Sequence, residues 1–288
     1  MTWSHIFTPF NPGASPMLGL HSVTRLTVQN TGILFANQDA HAFWSGLGSI
    51  FASPSLQGLR ISNLEVVDSS PPSDTDDCTI AASSLRVLLS STKLPIKHIS
   101  ISLPHFYLNQ HASSVALCPW AGLSSALQTI RSTLQVLELH ASAVWWHHQA
   151  LSKMHAYDLL APIPSLKDFK MLRALKVPFR AIISIDDDDC GISITERLPD
   201  DLEEIWFADD GFPAEFSVLF KNLGFVRRIF EDKQKGRLSK LKRVVLLGRG
   251  WDNEWENGAL WKSVGEEVGI EIKMVKQFKD RRYSEVII

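Results

Sequence analysis

Three constellations in the sequence carry residue types that could do chemistry. The first is Trp145-Trp146-His147-His148, with His140 and His155 nearby. Two histidines can share a metal when they lie one helical turn apart. Adjacent histidines point in different directions, and no cysteine or carboxylate completes the set. These residues therefore read as aromatic packing with surface histidines. The second is Asp186-Asp187-Asp188-Asp189. A calcium loop spaces its ligands around a central glycine and ends on a glutamate, and this run does neither. It reads as a solvated acidic loop. The third is Gly248-Arg249-Gly250, which follows an apolar stretch where a phosphate loop would sit but lacks the third glycine and the lysine. Dinucleotide, P-loop, nucleophile-elbow and zinc-protease motifs are absent. The sequence thus gives no catalytic residue, no metal ligands and no cofactor site, and it points to a non-enzymatic protein.

The elements that would position any functional side chain come from a repeated unit. The pattern apolar-x-x-apolar-x-apolar begins at Val23, Leu56, Ile96, Leu134, Leu172, Leu202 and Leu241, at spacings of 33, 40, 38, 38, 30 and 39 residues. Ile270-Glu271-Ile272-Lys273-Met274 closes the series. The alternation within each unit predicts a short strand with one buried face. Between units, helical periodicity appears at Phe43–Phe51, Ala81–Leu89, Leu123–Ile130, Phe216–Phe230 and Leu260–Val268. Asp39 and Asp252 are candidate N-caps for the first and last of these helices. Gly211-Phe212-Pro213 punctuates the passage into the fourth helix.

Two architectures fit a strand-helix unit of this length. One is a leucine-rich-repeat-like α/β solenoid, with a curved parallel sheet and helices on its convex side. The other is a doubly wound α/β sheet. Strands covered on both faces read as continuous apolar runs, whereas most of these alternate, which favours the solenoid. Val244-Val245-Leu246-Leu247 is the exception and keeps the alternative open, with an enzyme site near Gly248–Trp251. Residues 1–22 form an irregular N-terminal segment and residues 23–288 a single solenoid.

The segment Ser165–Pro178, followed by Leu198-Pro199-Asp200-Asp201-Leu202-Glu203-Glu204-Ile205-Trp206-Phe207-Ala208-Asp209-Asp210, resembles the irregular leucine-rich repeats of fungal F-box-like proteins. The resemblance is clearest over residues 130–250. It implies a protein-recognition array and, as partner, a ubiquitin-ligase adaptor. Two features depart from the family. The repeat asparagine is missing, its place being taken by Thr31, Leu64, Pro104, Ser142, Arg180, Asp210 and Arg249. Residues 1–22 also show no F-box helix pattern.

A one-sided sheet exposes the third and fifth positions of each unit. These run Arg25, Thr27, Gly58, Arg60, His98, Ser100, Val136, Glu138, Ala174, Lys176, Glu204, Trp206, Arg243 and Val245, with His140 just beyond. The candidate protein-binding residues are Arg25, Arg60, His98, Glu138, His140, Lys176, Glu204, Trp206 and Arg243, a mixture suited to protein contacts with Trp206 as anchor.

Composition narrows the classes further. The 288 residues are 45% hydrophobic with a formal net charge of -2, which excludes a disordered tail and a globally basic nucleic-acid binder. No apolar run reaches the roughly 18–20 residues of a membrane span, and no secretory signal opens the chain. The isolated cysteines Cys78, Cys118 and Cys190 suit a reducing compartment, so the cytoplasm or nucleus is expected. Charge is unevenly spread. Residues 1–144 carry 6 basic and 7 acidic side chains, and residues 145–288 carry 23 and 24. An acidic block, Asp186–Glu215, precedes a basic block, Lys221–Arg249. The two are expected to neutralise each other, and any charge-dependent partner is expected on the back half.

Overall fold

A computed structural model describes residues 24–29, 32–34, 56–62, 65–67, 95–103, 126–141, 165–178, 194–208, 224–248 and 258–276, together with Arg86, Leu89, Ser124, Ile163, Ala181 and Ile182. The repeated units form strands β1 (Arg25–Gln29), β3 (Gly58–Ser62), β5 (His98–Leu103), β6 (Val136–Ala141), β7 (Ala174–Pro178), β8 (Glu204–Ala208), β9 (Arg243–Gly248) and β10 (Glu271–Lys276). Two short strands, β2 (Gly32–Leu34) and β4 (Glu65–Val67), pair in parallel as a separate two-stranded sheet. The other eight make one sheet in the order β1-β3-β5-β6-β7-β8-β9-β10, every pairing parallel. The strands follow chain order from edge to edge. A doubly wound sheet instead reverses direction at a switch point, and its crevice lies there.

The registry of the repeat units is reproduced residue for residue. Leu59 pairs with Ile99, Ile99 with Leu137, and Leu137 with Leu175. Leu175 then pairs with Ile205, Ile205 with Val244, and Val244 with Ile272. A slip of one residue would turn every such side chain to the opposite face, so burial of one face holds the register. In the six units from Leu56 onward the first apolar residue lies ahead of its strand and is buried too, from Leu56 through Ile96, Leu134, Leu172 and Leu202 to Leu241. Between these positions a backbone bridge recurs. The amide of Lys97 donates to the carbonyl of Gln57, Gln135 to Lys97, Arg173 to Gln135, Glu203 to Arg173 and Lys242 to Glu203.

The helical periodicities are realised unevenly. Helix α1 (Gly224–Gln234) lies in the second part of the stretch that began at Phe216 and continues past Phe230. Helix α2 (Gly258–Glu267) matches the periodicity at Leu260–Val268. Within Leu123–Ile130, Ser124, Ala126 and Leu127 are helical and the chain then tightens into a 3-10 turn at Gln128–Ile130. Arg86 and Leu89 are helical within Ala81–Leu89, and a second 3-10 turn occupies Ile194–Arg197. The helical stretch from Phe43 to Phe51, the candidate caps Asp39 and Asp252, and Gly211–Pro213 fall outside the described residues.

Core and helices meet on one side of the sheet. Val226, Ile229 and Phe230 of α1 are buried in the same apolar cluster as Phe207 and Leu246 from the strands. The Phe225 ring meets Phe207 edge-on, at 5.3 Å and 81°. Polar bonds tie α1 and the turn after it to the 3-10 turn at Ile194–Arg197. Buried Thr195 donates its hydroxyl to Asp232, and the Arg237 guanidinium donates to the Thr195 carbonyl at 2.9 Å. After α1 the chain reverses through Gly236, whose φ of +87° is a left-handed conformation that a side chain would strain. Lys233 donates to the carbonyls of Ser239 and Leu241 in this turn, and burial lowers the pKa of its ammonium.

Candidate functional site

The opposite face of the sheet carries the third and fifth positions of the units. Registry lays them out as two rungs across the strands. One rung runs Arg25, Gly58, His98, Val136, Ala174, Glu204, Arg243 and Glu271; the other runs Thr27, Arg60, Ser100, Glu138, Lys176, Trp206, Val245 and Lys273. Small residues at Gly58, Val136 and Ala174 leave room over the first rung for the longer side chains of their neighbours. At Gly58 the Arg25 stem fills that room, since a Cβ there would lie 3.2 Å from Arg25 Cγ.

Across β5 to β10 the side chains join into one lateral network. Its centre is Glu138 on β6, whose side chain is 17% exposed. Lys176 Nζ on β7 lies 2.7 Å from Oε1 of Glu138. On the other carboxylate oxygen, His98 Nε2 approaches to 3.6 Å and His140 Nε2 to 3.8 Å. Burial alone would raise the pKa of this carboxyl. Contacts with His140, His98 and Lys176 together outweigh burial and hold it well below the usual carboxylate range. His98 Nε2 is buried and has no hydrogen-bond partner among the described residues.

From Glu138 the network passes to Trp206. Lys176 Nζ sits 5.1 Å from the centroid of the Trp206 ring, a cation–π contact across β7 and β8. The indole Nε1 of Trp206 donates to Glu204 on the same strand. Glu204 then meets Arg243 of β9 at 3.5 Å, and Arg243 Nε donates to Glu271 of β10 at 2.8 Å. Lys273 Nζ closes the row 3.1 Å from Glu271. The hydrogen bond from Arg243 lowers the pKa of Glu271, and the same bond raises that of the guanidinium.

Seven of the nine sequence-derived candidates, His98, Glu138, His140, Lys176, Trp206, Glu204 and Arg243, thus lie in one continuous network. Arg25 and Arg60 lie on the same rungs at β1 and β3, exposed and outside it. Three members of the exposed row are in fact covered, Gly58 beneath the Arg25 stem among them. Val245 is fully buried and Ser100 nearly so. In register, Val245 falls between the large side chains of Trp206 and Lys273, and short Ser100 between Arg60 and Glu138.

The network also includes residues that the sequence reading did not place in the row. Glu271 and Lys273 belong to the last strand, whose polar positions continue both rungs. A second ladder stands one residue ahead of the strands. Arg173 meets Glu203 at 3.4 Å, and Lys242 meets Glu203 at 3.0 Å. Lys240 Nζ meets Asp201 at 2.6 Å beside it. The signal for that ladder was present in the alternating signs of Arg173, Glu203 and Lys242 at one fixed place in the unit. Lys242–Glu203, Lys240–Asp201 and Arg243–Glu204 are contacts between the acidic and basic blocks, which neutralise each other here as their adjacency suggested.

Among the described residues, no three histidine, cysteine, aspartate or glutamate side chains are grouped to hold a metal ion, and no helix is long and apolar enough to cross a membrane. The Trp145–His148 cluster, His155, the Asp186–Asp189 run and the Arg249–Trp251 stretch lie outside the described residues. Comparison with protein-family models, curated proteins and solved structures finds no match to this chain.

Proposed function

We propose that the chain is a non-enzymatic protein-binding module, built as an irregular leucine-rich-repeat-like solenoid, that recognises a protein partner through its polar strand face. One observation carries this reading: a continuous row of charged and aromatic side chains crosses β5 to β10 on the face opposite the core. Strands in unbroken chain order support the repeat architecture, and they differ from the reversing order of the doubly wound sheet on which the alternative, an enzyme near Gly248–Trp251, rests. Trp206 is the anchor of the contact surface, an amphipathic ring held by Lys176 and Glu204 before any partner arrives. The resemblance to fungal F-box-like repeats extends the proposal to substrate recognition for a ubiquitin ligase in the cytoplasm or nucleus, with the ligase adaptor as second partner.

The test is affinity capture with the full chain, the variant Lys176→Ala/Trp206→Ala, and a control, Arg227→Ala/Arg228→Ala, on helix α1. A partner retained by the control and lost by the strand-face variant supports the proposal. An identical set of partners from all three proteins rules out the strand face. Direct binding of the ligase adaptor to the purified chain decides the ubiquitin-ligase part separately.

A further inference from the structure

The electrostatics of the strand face reverse what composition suggested. In the charge-rich half, the face cations are already neutralised within the fold. Lys176 has Glu138, Arg243 has Glu204 and Glu271, and Lys273 has Glu271. Ahead of the strands, Arg173 and Lys242 share Glu203. The charge-poor half differs. Arg25 on β1 and Arg60 on β3 are exposed and make no ion pair or hydrogen bond with any described residue. Lys97, ahead of β5, meets only the neutral amide of Gln57, at 3.5 Å. The nearest carboxylate along the Arg60 rung is Glu138, two strands away, and His98, His140 and Lys176 already engage it.

Resting on the strand-face reading above, we infer that the β1–β5 end of this face is a docking site for an acidic, carboxylate-bearing peptide in extended conformation. Charge complementarity selects the occupant: three cations stand without a carboxylate at one end of a row that is otherwise neutralised. Geometry selects its conformation. Arg25 and Arg60 lie on adjacent strands, two residues apart in register. With strands about 4.8 Å apart and about 3.3 Å of rise per residue, their Cα atoms are roughly 8 Å apart. An extended peptide presents every second side chain on one face at about 6.6 Å, close to that spacing. The Arg25 stem is seated over Gly58, so part of the ordering cost of that side chain is met before binding.

The experiment uses the full chain and a fluorescein-labelled peptide of six Glu-Ser repeats, followed by fluorescence anisotropy. Binding is expected at low salt and is weakened by added salt, because exposed charges are screened. Arg25→Gln/Arg60→Gln should weaken binding by about tenfold or more, the loss of two charge-assisted contacts. Arg227→Gln/Lys240→Gln and a Lys-Ser repeat peptide serve as controls. Equal affinity of the wild-type and Arg25→Gln/Arg60→Gln proteins overturns the inference. So does equally tight, Arg25- and Arg60-dependent binding of heparin or RNA, which would mark a general polyanion surface. A phosphoserine peptide that binds more than tenfold tighter likewise overturns the carboxylate assignment. A wild-type chain that ignores the peptide, yet captures a partner dependent on Lys176 and Trp206, sinks this inference alone. Failure of both assays sinks the strand-face reading with it.

Discussion

Glu138 offers the sharpest test of the network. Glu138→Gln keeps the shape of the side chain and removes the charge that Lys176, His98 and His140 share. The carboxylate side chain is 17% exposed and its closest partner, Lys176, is 38% exposed. Exposed ion pairs contribute about 0.2–1 kcal/mol, whereas breaking a fully buried pair costs about 3–5 kcal/mol. The intermediate exposure of Glu138 and Lys176, and the hydrogen bond that an amide oxygen could still accept from Lys176, put the cost at about 1–2 kcal/mol. For a chain of this size that lowers the midpoint of thermal unfolding by about 4 °C at neutral pH. The pH dependence has a definite sign. The folded carboxyl lies below its unfolded value, so its stabilisation is complete above the unfolded pKa of about 4.3 and is lost as pH falls toward the folded value. The gap between wild type and Glu138→Gln should therefore be widest near pH 6–7 and shrink below about pH 4. Thermal unfolding followed by circular dichroism at several pH values measures it. A double-mutant cycle with Lys176→Met should return a coupling of about 0.5–1 kcal/mol. Equal stability of the two proteins at pH 7, or a gap that widens in acid, would refute the assignment of Glu138 as the centre of the network.

Two further predictions concern the scaffold beneath the site. Gly265→Ala places a Cβ 2.6 Å from the Ile270 carbonyl oxygen and 3.2 Å from Ile272, so α2 must shift away from β10. A loss of about 1–3 kcal/mol is expected, read as a lower urea midpoint, and a neutral result would mean that the helix yields freely. Phe207→Ala empties a fully buried position on β8 beneath Trp206 and removes the edge contact to Phe225. A loss of about 3–5 kcal/mol is expected in the same assay, and a loss below about 1 kcal/mol would contradict the packing of α1 on this strand.

Much of the sheet could be read from the sequence because one physical rule repeats. Leu134, Leu137 and Leu139 are apolar for the same reason as Leu172, Leu175 and Val177. Each set must face the core, and the same offsets then fix the register between neighbouring strands. The helices were less legible. Leu123–Ile130 has a helical period and Ser124, Ala126 and Leu127 are helical, but the period does not foretell the 3-10 turn at Gln128–Ile130 that ends the segment before Leu134 enters the core. Periodicity reports which side chains are buried, not how tightly the backbone winds. Val245 shows a second limit. Its place in the unit is a solvent position, but the neighbours brought alongside it cover it.

Charge divides the two levels most clearly. The tertiary structure decided the strand order, and with it which side chains share a rung; the sequence by itself determined the repeat unit and the apolar face. These follow from local spacing and from the need to bury one face. It also suggested that charge-dependent recognition belongs to the back half, where charges are dense. Only the tertiary structure decided which charges are already engaged. Glu203, Glu204 and Glu271 meet cations 28 to 39 residues away along the chain, and Lys176 meets Glu138 of the front half, so the described face cations of the dense half are already engaged. Arg25 and Arg60, inconspicuous in composition, remain without counter-charges among the described residues. Composition counts charges, but their availability to a partner depends on distances of a few ångströms between strands, which the fold alone sets.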